Sequence, residues 1–240
     1  MSSAPRPVIE LQSSTPLLPS PQFARKLLDA GIEVNPEALA RVGDFLARML
    51  VMNERMNLTS ITELEAAWER HVFDALTLLP ILDRLGPAVR VLDVGSGGGV
   101  PGVPIAIARP NFEVTLLEAT QKKVSYLKAV VEALALGAVS VEGGRAEALA
   151  ETRLAGSFDA VTARAVAKLS ALIPLTAPFA KIGGIIALIK GRRADEELVE
   201  AASALKRFGL THQSTTQTAT GRIVELRKHE PPRQARRSRR

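Results

Sequence analysis

The apolar run VLDV (Val91–Val94) breaks at Gly95 into five glycines within eight residues, Gly95 to Gly102, and Pro101 and Pro104 close the segment. No other stretch narrows the fold of the chain as much. A strand that stops in side-chain-free backbone lets that backbone approach a ligand closely. A helix directly after it makes the strand–loop–helix unit of an α/β sheet. Two ligand classes compete for such a loop. Gly97, Gly99 and Gly102 fit the dinucleotide fingerprint G-x-G-x-x-G. Counted from Asp93, the glycines Gly95, Gly97 and Gly99 fit instead the D-x-G-x-G-x-G loop of enzymes that use S-adenosylmethionine.

Charge separates the two. The dinucleotide register begins at Gly97, three residues past the apolar strand, and places the Asp93 carboxylate at the loop's mouth, where it repels a diphosphate. Pro104 removes an amide donor near the helix start, where a pyrophosphate would dock. S-adenosylmethionine has no phosphate and carries an ammonium and a sulfonium, so a carboxylate favours it. No Gly-Lys-Ser/Thr follows, which excludes a P-loop.

The surrounding sequence supplies the rest of an α/β domain. From Val89 onward, strands are predicted at Val89–Val94, Glu113–Glu118, Ala138–Glu142, Ala160–Ala163 and Gly184–Lys190, with helices at Val103–Ala108, Lys122–Leu136, Leu169–Ala177 and Ala194–Phe208. A continuous apolar run such as GGIIALIK implies a strand buried on both faces, as in a parallel sheet. Thr211–Thr218 and Arg222–Arg227 flank a link too short for a helix, so they should pair antiparallel. Before the sheet, Pro21 to Leu85 reads as helical. Leu39, Val42, Phe45, Leu46, Met49 and Leu50 form one stripe at spacings of three and four, behind the N-cap pair Asn35-Pro36. A further helix is expected over Glu63–Leu82, and Met49, Met52 and Met56 should fill core. The division is a lead (1–20), a helical extension (21–85), a doubly wound domain (86–230) and a disordered basic tail (231–240).

The 240 residues are 46% hydrophobic, enough for a sizeable core, and include no cysteine. That excludes disulfides, Cys-ligated metals and Cys nucleophiles. No apolar run approaches the ~18 residues of a membrane span, and the Pro- and Ser-dotted N-terminus does not resemble a signal peptide, so a cytoplasmic protein is expected. The net charge is +6, but five arginines fall in the last eight residues and the remainder is close to +1. Such a tail binds phosphates non-specifically or only solubilises the chain.

Ligands of doubly wound sheets sit at the carboxyl ends of the strands. Five predicted strand ends carry polar residues: Asp93 with the glycine loop; Glu118; the segment EGGRAE with Arg145 and Glu147; Arg164 with Lys168; and Lys190 with Arg192 and Arg193. Glu118 can accept both hydroxyls of a ribose, or it is a favourable charge at the next helix N-terminus. His71, beside Arg70, is a site residue or a packing one, and Trp68 is expected to pack.

The acceptor is constrained by what is missing. Cytosine C5 methylation needs a cysteine. Amino-group methylation of bases commonly uses a Pro-Pro-aromatic motif, and TARAVAKL stands in its place. Guanine N7 presents a free lone pair and loses no proton, so its methylation needs positioning and electrostatics rather than a general base. Arg164 and Lys190 suit that task.

With these residues in place, the chain resembles the bacterial 16S ribosomal RNA small-subunit methyltransferase G family, also called glucose-inhibited division protein B. The matching segments are MNLTS (56–60), ERHVFDAL (69–76), VLDVGSGGGVPGVPIAI (91–107), LLEATQKKVSYL (116–127), GRAEAL (144–149), VTARAVAKL (161–169) and ALIKG (187–191), in family order over roughly residues 30 to 228. The resemblance implies a Rossmann-like class I S-adenosylmethionine-dependent methyltransferase fold, a mainly parallel sheet with a C-terminal antiparallel hairpin. It implies methyl transfer to guanine N7 in 16S rRNA, naked or within the 30S subunit; a monomer without membrane or metal is expected. The donor pocket would include Asp93, Gly95, Gly97, Gly99, Val100, Glu118, Ala146, Glu147 and Arg164. His71 and Asp74 match its RH-x-x-D helix, with Asp74 orienting His71, and Lys190 its lysine before glycine. With Arg164 these make the catalytic set; Arg145, Lys168, Arg192, Arg193 and Arg222 are the cations expected on RNA. The chain departs from the family at Met56, Gly98 and Glu118, where an aromatic, Pro and Asp are common, and lacks a histidine after Arg222. Two other readings stay open: an NAD(P)-dependent oxidoreductase, and a non-catalytic RNA-binding module of the same fold.

Overall fold

The computed structural model describes residues 11, 15–164 and 167–230. The basic tail 231–240 and most of the lead 1–20 lie outside these residues. Seven strands form one sheet in the order β3-β2-β1-β4-β5-β7-β6. They are β1 (Arg90–Val94), β2 (Glu113–Glu118), β3 (Val139–Gly143), β4 (Phe158–Arg164), β5 (Ala180–Lys190), β6 (Leu210–Gln217) and β7 (Arg222–Lys228). The first five are mutually parallel; β7 runs antiparallel to β5 and to β6. The order reverses between β1 and β4, which makes the exit of β1 the topological switch point.

Successive strand residues face opposite sides, and the core divides accordingly. Val91, Ile185, Ala187 and Ile189 join one cluster, Leu92, Ile186 and Leu188 the other. The first face is covered by α1 (Pro21–Asp29), α2 (Pro36–Met56), the segment 64–83, α6 (Gly102–Ala108) and α7 (Gln121–Ala133). The second is covered by α8 (Ala146–Leu149), α9 (Leu169–Thr176), α10 (Ala194–Glu200) and α11 (Ala202–Phe208). The helical extension therefore shares one core with the sheet. Val42, Phe45, Leu46 and Met49 are buried in it, with Met52 and Met56. Asn35 caps α2 by accepting from the Ala38 amide at 2.7 Å.

Two predicted helices are broken. Glu63–Leu82 divides into α3 (Leu64–Ala67), a π-helical turn (Trp68–Phe73), α4 (Asp74–Leu76) and α5 (Leu79–Asp83). Pro80 lacks the amide an uninterrupted helix would need there, so it sits in the first turn of α5. Ala194–Phe208 breaks at Ala201 into α10 and α11. The short α8 had no counterpart in the sequence reading. Among the described residues, no helix is long and apolar enough to cross a membrane.

Candidate active site

At the switch point, the amides of Gly95 and Ser96 donate to the Leu117 carbonyl at 2.8 and 3.0 Å, which folds the loop over β2. Gly95, Gly97 and Gly99 all have positive φ, +73°, +55° and +96°, a region that disfavours residues with a Cβ. A Cβ on Gly95 would meet nothing within 4 Å, and one on Gly97 only the Gly95 carbonyl at 3.8 Å. At Gly95 and Gly97 the loop thus presents open, side-chain-free backbone, whereas a Cβ on Gly99 would press on Val103 at 3.0 Å and Phe45 at 3.2 Å. Glu118 closes β2 beside it, almost buried, with Oε2 accepting from the Gly97 amide at 3.0 Å and Oε1 from the Thr120 amide at 2.7 Å. The Gly144 amide donates to the Glu118 carbonyl, which brings the β3 exit, with buried Ala146 and exposed Arg145 and Glu147, against the same edge. Val100 is buried behind the loop.

Asp93 is not at the loop's mouth. It is fully buried behind the loop, where Oδ2 accepts from the Gly102 amide at 3.1 Å and Oδ1 lies 3.4 Å from the Thr162 hydroxyl. Burial pushes its carboxyl up to about 6. The start of α6 is nevertheless closed to a diphosphate. The Gly102 amide, in the first turn of α6 where a pyrophosphate would sit, is already spent on a carboxylate. A Cβ on Gly102 would overlap Leu116, so this glycine serves helix–strand packing.

A cleft of about 760 Å³, lined by none of these glycines, meets the loop through Leu58, which lines it and packs against Gly98. Its walls come from the turn after α2 (Thr59, Ser60, Ile61), the π-helical turn with α4 (Arg70, His71, Asp74), the ends of β4 and β5 (Arg164, Lys190) and the β6–β7 turn (Thr220). Asn57 ends α2 in the left-handed conformation, φ +49°, which Asn tolerates. The Asn53 side chain then accepts from the Thr59 amide at 2.8 Å, which turns Thr59 toward His71.

His71 is buried. Its Nδ1 lies 3.1 Å from Arg164 Nη1 and its Nε2 2.9 Å from Thr59 Oγ1. Burial first, and the Arg164 charge second, lower its pKa to about 4, so the ring is neutral at physiological pH. Arg164 also donates to the Arg70 carbonyl, and burial lowers its pKa. Asp74 does not orient His71. It accepts from the Thr220 hydroxyl and lies 3.8 Å from Arg70 Nε; burial pushes it up to about 6. The Arg70 guanidinium in turn donates to the Thr220 carbonyl at 2.8 Å.

Lys190 lines the cleft, but its ammonium is turned inward, almost completely buried, 2.9 Å from Glu197 and donating to the Ala167 carbonyl. Three of the five cations expected on RNA, together with Lys190, meet one helix. Asp195, Glu196, Glu197 and Glu200 of α10 pair with Arg222, Arg193, Lys190 and Lys168 respectively. Arg145 and Arg192 are exposed. Thr59, Arg70, Glu197 and Thr220 had no assigned role in the sequence reading. NLTS and RH-x-x-D carried the signal for the first two; nothing local marked the others. Trp68 packs edge-on against Phe23, with ring centroids 4.8 Å apart.

An open glycine cradle, a ribose-competent carboxylate on the next strand and a helix start with no amide to spare for phosphate fit S-adenosylmethionine. The molecule is a class I S-adenosylmethionine-dependent methyltransferase. Comparison with known proteins narrows the class. The family model described as rRNA small subunit methyltransferase G matches residues 38–225, and the chain belongs to that family. It is 52% identical over 223 residues to the ribosomal RNA small subunit methyltransferase G of Sorangium cellulosum, covering 93% of each chain. It is 37% identical to the namesake of Moorella thermoacetica, covering 75% of each. A MtNAS mutant solved in complex with S-adenosylmethionine shares the fold, with a TM-score of 0.53 at 14% identity over 87% of this chain and 88% of that one.

Proposed function

We propose that the protein methylates N7 of a guanine in 16S ribosomal RNA, free or within the 30S subunit, acting as a cytoplasmic monomer. The carrying observation is the chemistry of the cleft next to the donor loop. Its polar wall carries Arg70 and Arg164 together with two carboxyl groups that are already engaged, Asp74 by Thr220 and Arg70 and Glu197 by Lys190, and its histidine is neutral with both ring nitrogens engaged. That inventory suits an acceptor that needs no deprotonation. The donor supplies a methyl group activated by a sulfonium. With the donor bound, the in-plane lone pair of guanine N7 would take the methyl group as the carbon–sulfur bond breaks and leaves a thioether, with no proton to remove. The chain's contribution is to hold the base in line and to order the polar groups around it. The relatives' shared name, ribosomal RNA small subunit methyltransferase G, supports the RNA class.

The test is incubation with labelled donor and 30S subunits lacking the modification, followed by mapping of the label. Label on a guanine N7 of 16S RNA is the expected result; label on another base or atom, or none, overturns the reading. Arg164→Ala should abolish most of the label while the protein still folds.

A further inference from the structure

We propose that the Thr59 hydroxyl donates to O6 of the acceptor guanine and thereby selects guanine over adenine. The inference deepens the acceptor reading above and rests on it.

Its basis is a count of protons and lone pairs. Arginine only donates, so the 3.1 Å contact between Arg164 Nη1 and His71 Nδ1 makes Nδ1 the acceptor. The neutral ring then carries its proton on Nε2, which faces Thr59 Oγ1 at 2.9 Å and the Ile61 backbone, so the Thr59 hydroxyl cannot donate to it. The Ile61 amide donates to the same oxygen at 3.0 Å. A hydroxyl oxygen has two lone pairs, and both its neighbours here are N–H groups. The remaining Thr59 proton is directed at neither neighbour, and Thr59 lines the cleft. Its backbone is fixed as well, because Asn53 accepts from its amide at 2.8 Å. The cleft therefore holds a donor of fixed sense on a braced turn.

Such a donor sorts purines where N7 alone cannot. N7 accepts in guanine and in adenine alike, whereas position 6 is an accepting carbonyl in guanine and a donating amino group in adenine. O6 lies on the same edge as N7 and stays free to accept while N7 reacts. Adenine in that place would set two donors against each other, a mismatch that buried polar sites reject strongly.

The test is a chemical double-mutant cycle on 30S subunits reconstituted with guanosine or 6-thioguanosine at the methylated position, since sulfur is the poorer acceptor. For each enzyme the ratio of kcat/KM on the two substrates is measured. The wild-type ratio should exceed that of Thr59→Val by roughly five- to tenfold, the worth of one neutral hydrogen bond. Thr59→Ser, which keeps the hydroxyl, should keep the wild-type ratio, and Thr59→Ala should behave as Thr59→Val if the latter does not fold. Equal ratios in wild type and the hydroxyl-free variants overturn the assignment while leaving N7 methylation standing. Absence of any wild-type label on the guanosine subunits removes the acceptor reading itself.

Discussion

The amide of Gly102 donates to Oδ2 of Asp93 at 3.1 Å, tying the first turn of α6 to a carboxylate that solvent does not reach. Such a pair makes stability depend on pH. Burial raises the Asp93 pKa from 3.8 to about 6, so the fold favours the protonated form. Its contribution is full below about pH 4 and is lost as pH rises through about 6. Asp93→Asn keeps an acceptor for Gly102 and removes the titration. Denaturant unfolding from pH 5 to 8 should give the variant a flatter curve than wild type, the difference growing toward neutral pH by roughly 1–3 kcal/mol. Parallel curves would place the charge in a better-compensated setting than its burial implies.

Gly97 and Gly102 stand in the same loop for different reasons, and alanine should separate them. At Gly97 the Cβ enters open space at a positive φ, a strain of about 1–2 kcal/mol, and occupies room the donor needs. Gly97→Ala should bind S-adenosylmethionine at least tenfold more weakly by calorimetry while its melting curve stays cooperative. At Gly102 the Cβ strikes Leu116 and Asp93, so Gly102→Ala should lose about 1–3 kcal/mol of stability. Equal affinity for the donor in Gly97→Ala and wild type would mean that the loop does not face it.

Much of this was legible in advance. Strand runs, glycine spacing and the antiparallel hairpin follow from periodicity and turn chemistry, and the structure places them within a few residues of expectation. Other features depend on contacts distant in sequence. Asp93 reads as a loop-mouth charge because a sequence does not show which way a strand-end side chain turns; the packing of α6 against β2 decides it. Thr220 reads as a turn residue, and only the return of the hairpin to Asp74, 146 positions earlier, brings it into the cleft. Lys190 reads as an available cation until α10 supplies Glu197.

His71 should stay unprotonated through the physiological range. Its pKa falls to about 4, by burial and then by Arg164, so its contribution to stability is full above about pH 6.5 and is lost as pH falls toward 4. Its ring resonances in NMR spectra should show Nε2 protonated and should not move between pH 5.5 and 8. A midpoint near 6.5 would contradict both the burial and the arginine contact.

The acidic helix α10 should compete with RNA. Glu196 and Glu200 hold Arg193 and Lys168 at 2.7 Å each, and these exposed pairs are individually weak. Removing the carboxylates in Glu196→Gln/Glu200→Gln should free both cations for phosphate, tighten binding to rRNA fragments, and steepen log K against log salt by roughly 0.7 per freed cation. An unchanged slope would show that neither cation reaches the RNA.

The hydrogen bonds from Arg70 to the Thr220 carbonyl and from Thr220 to Asp74 have a consequence for biosynthesis. They join residues about 150 positions apart, and β7, which follows Thr220, inserts between β5 and β6. A chain emerging N-terminus first can build the donor loop long before it owns the far wall of the acceptor cleft. The glycine loop would thus be complete early in synthesis, and the wall of the cleft only once the β6–β7 hairpin has emerged.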